Sequence, residues 1–157
     1  MDIYDYLKLD HEYVAQLFKQ FDNVDLMDRQ QQIVVLLEQE LMIHLRSEQE
    51  TFYKALSNFE ATKDSVVHSE KEHQEIEELI HFIIDKKELD ASWIKKVHEL
   101  HRIVAHHVKE EEHVVFNKAK KVLSQDDAEY LKEKMHYFKA NLLLNFDKEK
   151  AEARFST

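Results

Sequence analysis

Apolar residues recur along this chain at intervals of three and four, the spacing of one face of an α-helix. Leu7, Val14, Phe18 and Phe21 predict a first helix over about residues 2–22. Asn23, Val24 and Asp25 read as a connection, with Asp25 or Asp28 available to cap the next helix. Ile33, Leu37, Leu41, Leu45, Phe52 and Leu56 carry a longer second helix that ends near Asn58. Thr62, Asp64 or Ser65 caps a third, striped by Val66, Ile76, Ile80 and Ile83 and running to about Lys87. A fourth begins at Leu89-Asp90-Ala91-Ser92, with Trp93, Val97, Leu100, Val104 and Val115 on one face. Ser124-Gln125-Asp126-Asp127 resembles the cap of a fifth, which carries Leu131, Met135, Phe138 and Leu142.

Connections of roughly three to six residues favour antiparallel neighbours. The fold class expected is therefore all-α: an antiparallel up-down-up-down four-helix bundle over about residues 2–123, with an additional C-terminal helix over about 126–153. Residues 1–157 are read as one domain. The fifth helix either covers one end of the bundle or meets a second copy of the chain or another protein.

Composition narrows this further. Gly 0 and Pro 0 remove the residues on which hairpins and irregular loops depend. Cys 0 excludes disulfides, thiolate metal sites and a cysteine nucleophile, so any metal must be held by nitrogen and oxygen. The net charge of −10 opposes nucleic-acid binding, and the Lys118-Ala119-Lys120-Lys121 run falls where a helix should end, where it serves the helix dipole. No apolar run reaches the ~18 residues of a membrane span, and the acidic start, Met1-Asp2-Ile3-Tyr4-Asp5, does not resemble a secretion signal. A cytoplasmic location without membrane contact is the expectation.

The chemistry lies where polar residues interrupt the apolar stripes. His11 belongs to the series 7, 11, 14, 18, 21; His44 and Glu48 to 37, 41, 44, 48, 52; His73 to 66, 69, 73, 76, 80; and His107 and Glu111 to 97, 100, 104, 107, 111, 115. All six therefore face inward. Two ionised carboxylates inside a bundle oppose each other unless they are paired or coordinated, and two cations remove the conflict. A histidine and a glutamate four residues apart project from one helical face towards a common centre. Four imidazoles and two carboxylates without thiolate suit iron, manganese or zinc, and their number favours a dinuclear iron centre over a four-coordinate zinc.

The pattern is also duplicated. His11 and His73 are 62 residues apart, and His44 and His107, like Glu48 and Glu111, are 63 apart. Asp10-His11-Glu12 echoes Glu72-His73-Gln74, and each glutamate of the pairs is followed five residues on by an aromatic, Tyr53 or Phe116. That echo selects His107 with Glu111 over the alternatives His106 with Glu110 or His106 with Glu111. One helical hairpin used twice places the halves around a rough two-fold axis through the centre.

The remaining histidines, His68, His81, His98, His101, His113 and His136, have no partner at the repeated spacing and read as surface, with a supporting role behind the ligands open to His81 or His101. The acidic run Glu70 to Glu78 reads as a solvated helix face, and Phe18, Phe21, Phe52, Phe82, Trp93 and Phe116 as core.

The order His, His-x-x-x-Glu, His, His-x-x-x-Glu resembles the hemerythrin-like HHE cation-binding family, most specifically in His106-His107-Val108-Lys109-Glu110-Glu111-Glu112-His113-Val114-Val115-Phe116. The resemblance covers about residues 2–123. It implies a four-helix bundle around a non-heme di-iron centre, two iron ions with an oxo, hydroxo or water bridge, ligated by His11, His44, Glu48, His73, His107 and Glu111. Oxygen-carrying members have a second histidine on the third helix, four residues from the first; here Ser69 and Glu77 occupy those positions. The chain is more similar to the four-histidine, two-glutamate variant. The function this implies is binding of oxygen or nitric oxide, or a response to iron; the alternatives are removal of peroxide or nitric oxide, and iron donation for repair of iron-sulfur or di-iron centres.

Overall fold

A computed structural model describes the backbone of residues 1–155 and the side chains of residues 1–146. Helix α1 spans Ile3–Asp22 and α2 spans Met27–Glu48. Helix α2 continues without a break through a π-helical turn, Gln49–Tyr53, and a last α-helical turn, Lys54–Leu56. A 3-10 turn, Glu60–Thr62, leads into α3, Lys63–Asp85. Helix α4, Ala91–Glu110, repeats the form of α2, with a π-helical turn at Glu111–Val115 and an α-helical end at Phe116–Val122. Helix α5 is Gln125–Phe155. The described residues contain no strand, and the first four rods form the antiparallel bundle.

The chain makes its corners without glycine, and no described residue has a positive φ. Buried Thr62 closes the turn after α2, its hydroxyl donating to Leu56 O at 2.6 Å, a carbonyl that also accepts from Phe59 N at 3.2 Å. Asp2 and Asp90 cap α1 and α4 by accepting from Asp5 N and Trp93 N. Trp93 also closes the end of α3, where its Nε1 donates to Ile83 O at 3.3 Å. At α5 the reciprocal capping box forms with aspartate in its second position: Asp127 N donates to Ser124 Oγ, and Ser124 N to Asp127 Oδ2. Two expected caps are corrected. Neither Asp25 nor Asp28 caps α2, which starts from Leu26 with no side-chain cap, and Asp28 lies within the first turn, where its charge suits the dipole. Thr62, one of the three expected choices, holds the N-cap position of α3 but makes no side-chain cap bond there, its hydroxyl being committed to the preceding helix; Asp64 and Ser65 lie within the first turn.

The core divides into two apolar slabs with a polar layer between them. One slab holds Phe18, Phe21, Leu37, Ile80, Trp93 and Leu100. The other holds Ile3, Leu7, Phe52, Tyr53, Phe116 and Met135. Burying each such side chain is worth about 1.5–3 kcal/mol, and this anchors the rods on both sides of the layer. Helix α5 lies along α1 and α2, contributing Ala128, Leu131 and Met135 to the second slab. It thus covers the bundle along one flank, where cover of one end was expected. Phe82 corrects an expectation: it is 52% exposed, because it falls off the inward stripe of α3, and Lys96 Nζ sits 5.6 Å from its ring centre. No helix among the described residues is long and apolar enough to cross a membrane.

Candidate metal centre

The polar layer contains all six inward residues, each helix of the bundle supplying its share: His11 from α1, His44 and Glu48 from α2, His73 from α3, and His107 and Glu111 from the α4 rod. All are buried. Their ligand-capable atoms form two sets of four, His11, His44, Glu48 and Glu111, and Glu48, His73, His107 and Glu111, each set lying within 4.8 Å. Both carboxylates belong to both sets.

The distances repeat between the two copies of the pattern. His11 Nε2 lies 3.1 Å from Glu111 Oε1, and His73 Nε2 lies 3.0 Å from Glu48 Oε1. His44 Nε2 is 3.1 Å from Glu48 Oε2, and His107 Nε2 is 3.4 Å from Glu111 Oε2. Ion-pair distance does not make these hydrogen bonds: His11 Nε2, His44 Nε2, both Glu48 oxygens and Glu111 Oε1 are buried without a hydrogen-bond partner. Leaving such atoms unsatisfied costs about 1–3 kcal/mol each, more for charged groups. Imidazole nitrogens and carboxylate oxygens that converge in one buried layer are the donor set that a cation requires once the histidines give up their protons.

Behind the histidines stands a ring of carboxylates. Asp10 Oδ2 accepts from His44 Nδ1 and Glu72 Oε1 from His107 Nδ1, both at 2.9 Å, while Glu112 Oε2 meets His11 Nδ1 at 2.7 Å. Such partners fix the tautomer, turn Nε2 inward and raise its basicity. Lys139 reaches in from α5 to hold Asp10, tying the fifth helix to the centre through Asp10 and His44. On the opposite side the buried Tyr53 hydroxyl donates to Glu111 Oε2.

The π-helical turns explain how Glu48 and Tyr53 both face inward. Lys54 N donates to Gln49 O and Phe116 N to Glu111 O, five residues back in each case. The extra residue per turn brings position i+5, Tyr53 or Phe116, onto the stripe of the glutamate.

Electrostatics follows burial and charge. For His107 burial favours the neutral ring, but Glu111, Glu72 and Glu48 outweigh it and raise the pKa from 6.5 to about 10. His44 is likewise raised well above its usual range, against burial, by Glu48 and Asp10. Burial pushes Glu111 up, yet His107 and His11 hold it well below the usual carboxylate range. Tyr53 is raised well above 10, by burial and then by the charges of Glu111 and Glu48, so its hydroxyl stays protonated.

The other histidines lie elsewhere. His106 faces outward, with Nε2 3.6 Å from Glu110, which leaves the inward register to His107. His81 and His113 are exposed, and His98 and His136 pair with Asp22 and Tyr6. His101 stacks on Phe18 at 4.4 Å between ring centres, so neither it nor His81 stands behind a ligand. His68 does more than the spacing suggested: its exposed ring is 3.2 Å from Glu110 and 3.6 Å from Glu72, the carboxylate behind His107. The spacing did not single out Asp10, Glu72, Glu112 and Lys139 as supports; the echo of Asp10-His11 in Glu72-His73 was a signal for the first two, and Glu112 and Lys139 had none.

Comparison with known proteins agrees with this arrangement. The chain resembles in fold the crystal structure of a hemerythrin HHE cation binding domain-containing protein from Mycobacterium kansasii, with a TM-score of 0.83 and 19% identity over 99% of this chain and 93% of that one. No curated protein matches it in sequence. The family model for the hemerythrin HHE cation binding domain matches residues 2–119, most of the bundle. The chain belongs to the hemerythrin HHE cation binding domain family.

Proposed function

We propose that this protein is a single-domain, non-heme di-iron protein that binds oxygen or nitric oxide, or answers to iron supply, at a centre to which Glu48 and Glu111 would both contribute. His11 and His44 would hold one ion, and His73 and His107 the other. The observation that carries this reading is the membership of both carboxylates in both four-residue sets. Two iron ions so held supply exchangeable coordination positions and redox change at one site. The chain's own residues orient the imidazoles through Asp10, Glu72 and Glu112 and keep a protonated hydroxyl, Tyr53, against Glu111. A second reading is an enzyme that removes peroxide or nitric oxide with electrons from an external reductant, the Tyr53 hydroxyl standing beside the centre as a fixed hydrogen-bond donor.

Anaerobic purification with metal analysis, then spectra after oxygen, nitric oxide and peroxide, tests both. About two irons per chain are expected from the two four-residue sets. Zinc alone, or less than one iron per chain after reconstitution, overturns the di-iron reading. A reversible oxygen or nitric oxide adduct favours the binder; rapid peroxide loss with turnover favours the enzyme.

The pKa shifts of the buried groups also set the sign of pH dependence. In the metal-free chain His107, raised from 6.5 to about 10, contributes stability that is complete below 6.5 and lost as pH rises towards about 10. Glu111, lowered from 4.5, contributes stability present above 4.5 and lost as pH falls through its depressed value. The metal-free protein is therefore expected to melt at a lower temperature at pH ~9 than at pH ~6. Iron-binding histidines must be deprotonated, so the increment in melting temperature on adding ferrous iron grows over the same range. An increment that shrinks with pH contradicts the ligand assignment.

A further inference from the structure

The internal repeat lets every contact at the centre be checked against its mate, and one has none. His11 Nδ1 is held by Glu112. The residue 63 positions before Glu112, the offset that relates Glu48 to Glu111, is Gln49. Its amide nitrogen donates outward to Glu70 Oε1 at 3.0 Å, and its Oε1 is buried without a partner. The buried Nδ1 of His73 also lacks a partner. Asp10, Glu72 and Glu112 serve the outer nitrogens of the other three histidines; at His73 a neutral amide stands where the repeat places a carboxylate.

The same side of the centre opens outward. A cavity of about 490 Å³ lies over His73, between α2, α3 and α5, bordered by Gln49, Glu70, Glu77, Phe138 and Leu142. Among the described residues, Glu50, Glu70 and Glu77 line it against a single cation, Arg46, which lies 4.0 Å from Glu77, and the acidic excess attracts cations.

We propose that the two cation positions are inequivalent, and that the position between His73 and His107 is the exchangeable one, filled and emptied by a divalent transition cation through the cavity over His73. This rests on the dinuclear reading. Loss of a carboxylate behind a ligating histidine typically lowers metal affinity by about 10- to 100-fold, and the site on the His11 side retains both of its carboxylates.

The test loads the full chain anaerobically with ferrous iron, establishes the stoichiometry, then follows removal by an excess of a chromogenic ferrous chelator. Two ions are expected to leave in two phases of equal amplitude. Gln49→Glu supplies the absent carboxylate and is expected to slow the fast phase by about 10-fold or more while leaving the slow phase unchanged. Glu112→Gln makes the reciprocal change and is expected to accelerate the slow phase; it carries the test alone if Gln49→Glu does not fold. Two ions leaving in a single phase, or variants that leave their assigned phases unaltered, overturn this proposal only. Loading below two ions overturns the dinuclear reading and this proposal with it.

Discussion

Replacing Glu48 with glutamine is expected to reduce iron loading from two ions per chain to none. Glu48 belongs to both four-residue sets, and its two oxygens face His44 and His73, one histidine from each. An amide keeps the volume and shape, so the apolar slabs on both sides remain packed, but it lacks the negative charge and presents only one oxygen. His44→Ala, by contrast, removes a ligand from one set only and should leave one ion in place. Metal analysis after anaerobic loading and gel filtration, with circular dichroism to establish that the variant is folded, decides between these outcomes. A Glu48→Gln chain that retains one ion would show that the carboxylate serves a single position.

The second large effect falls on stability. Phe52→Ala is expected to cost about 3–5 kcal/mol, a large part of the 5–15 kcal/mol that holds a typical domain together. Phe52 is fully buried in the π-helical turn, with its ring edge-on to Tyr4 at 6.1 Å, Tyr53 at 5.2 Å and Phe116 at 5.9 Å. No neighbouring helix can close the cavity without shifting Tyr53, whose hydroxyl is engaged with Glu111. Denaturant unfolding of the metal-free chain measures the loss, and ferrous iron should restore part of it by binding only the folded state. A cost below about 1 kcal/mol would mean that the aromatic cluster relaxes freely, contrary to the close packing of its rings.

The convergence of the six inward residues was legible in the sequence because two demands act on the same side chains. A side chain must lie on the inward stripe to reach the centre, and it must repeat at 62 or 63 residues if the hairpin is duplicated. The supports behind the histidines were not legible in the same way. Asp10 and Glu72 sit one residue before a ligand, about 100° around their own helix, and reach the neighbouring helix instead. Lys139 is one lysine on a polar helix face, with no periodicity to mark it. The π-helical turns left a trace, the five-residue interval from Glu48 to Tyr53 and from Glu111 to Phe116 where an α-helix repeats at three or four. Phe82 was misplaced because hydrophobicity alone was weighed, without its angle around α3.

Fusing two hairpins into one chain has a consequence for how such a centre can change. In a symmetric dimer of single hairpins, each substitution would appear at both metal positions at once, and any asymmetry would have to come from outside the sequence. Here each copy is encoded separately. Gln49 differs from Glu112 and Tyr53 from Phe116, so one position can lose a carboxylate or gain a hydroxyl while the other keeps its own surroundings. The linkage makes the surroundings of the two proposed cation positions independently heritable.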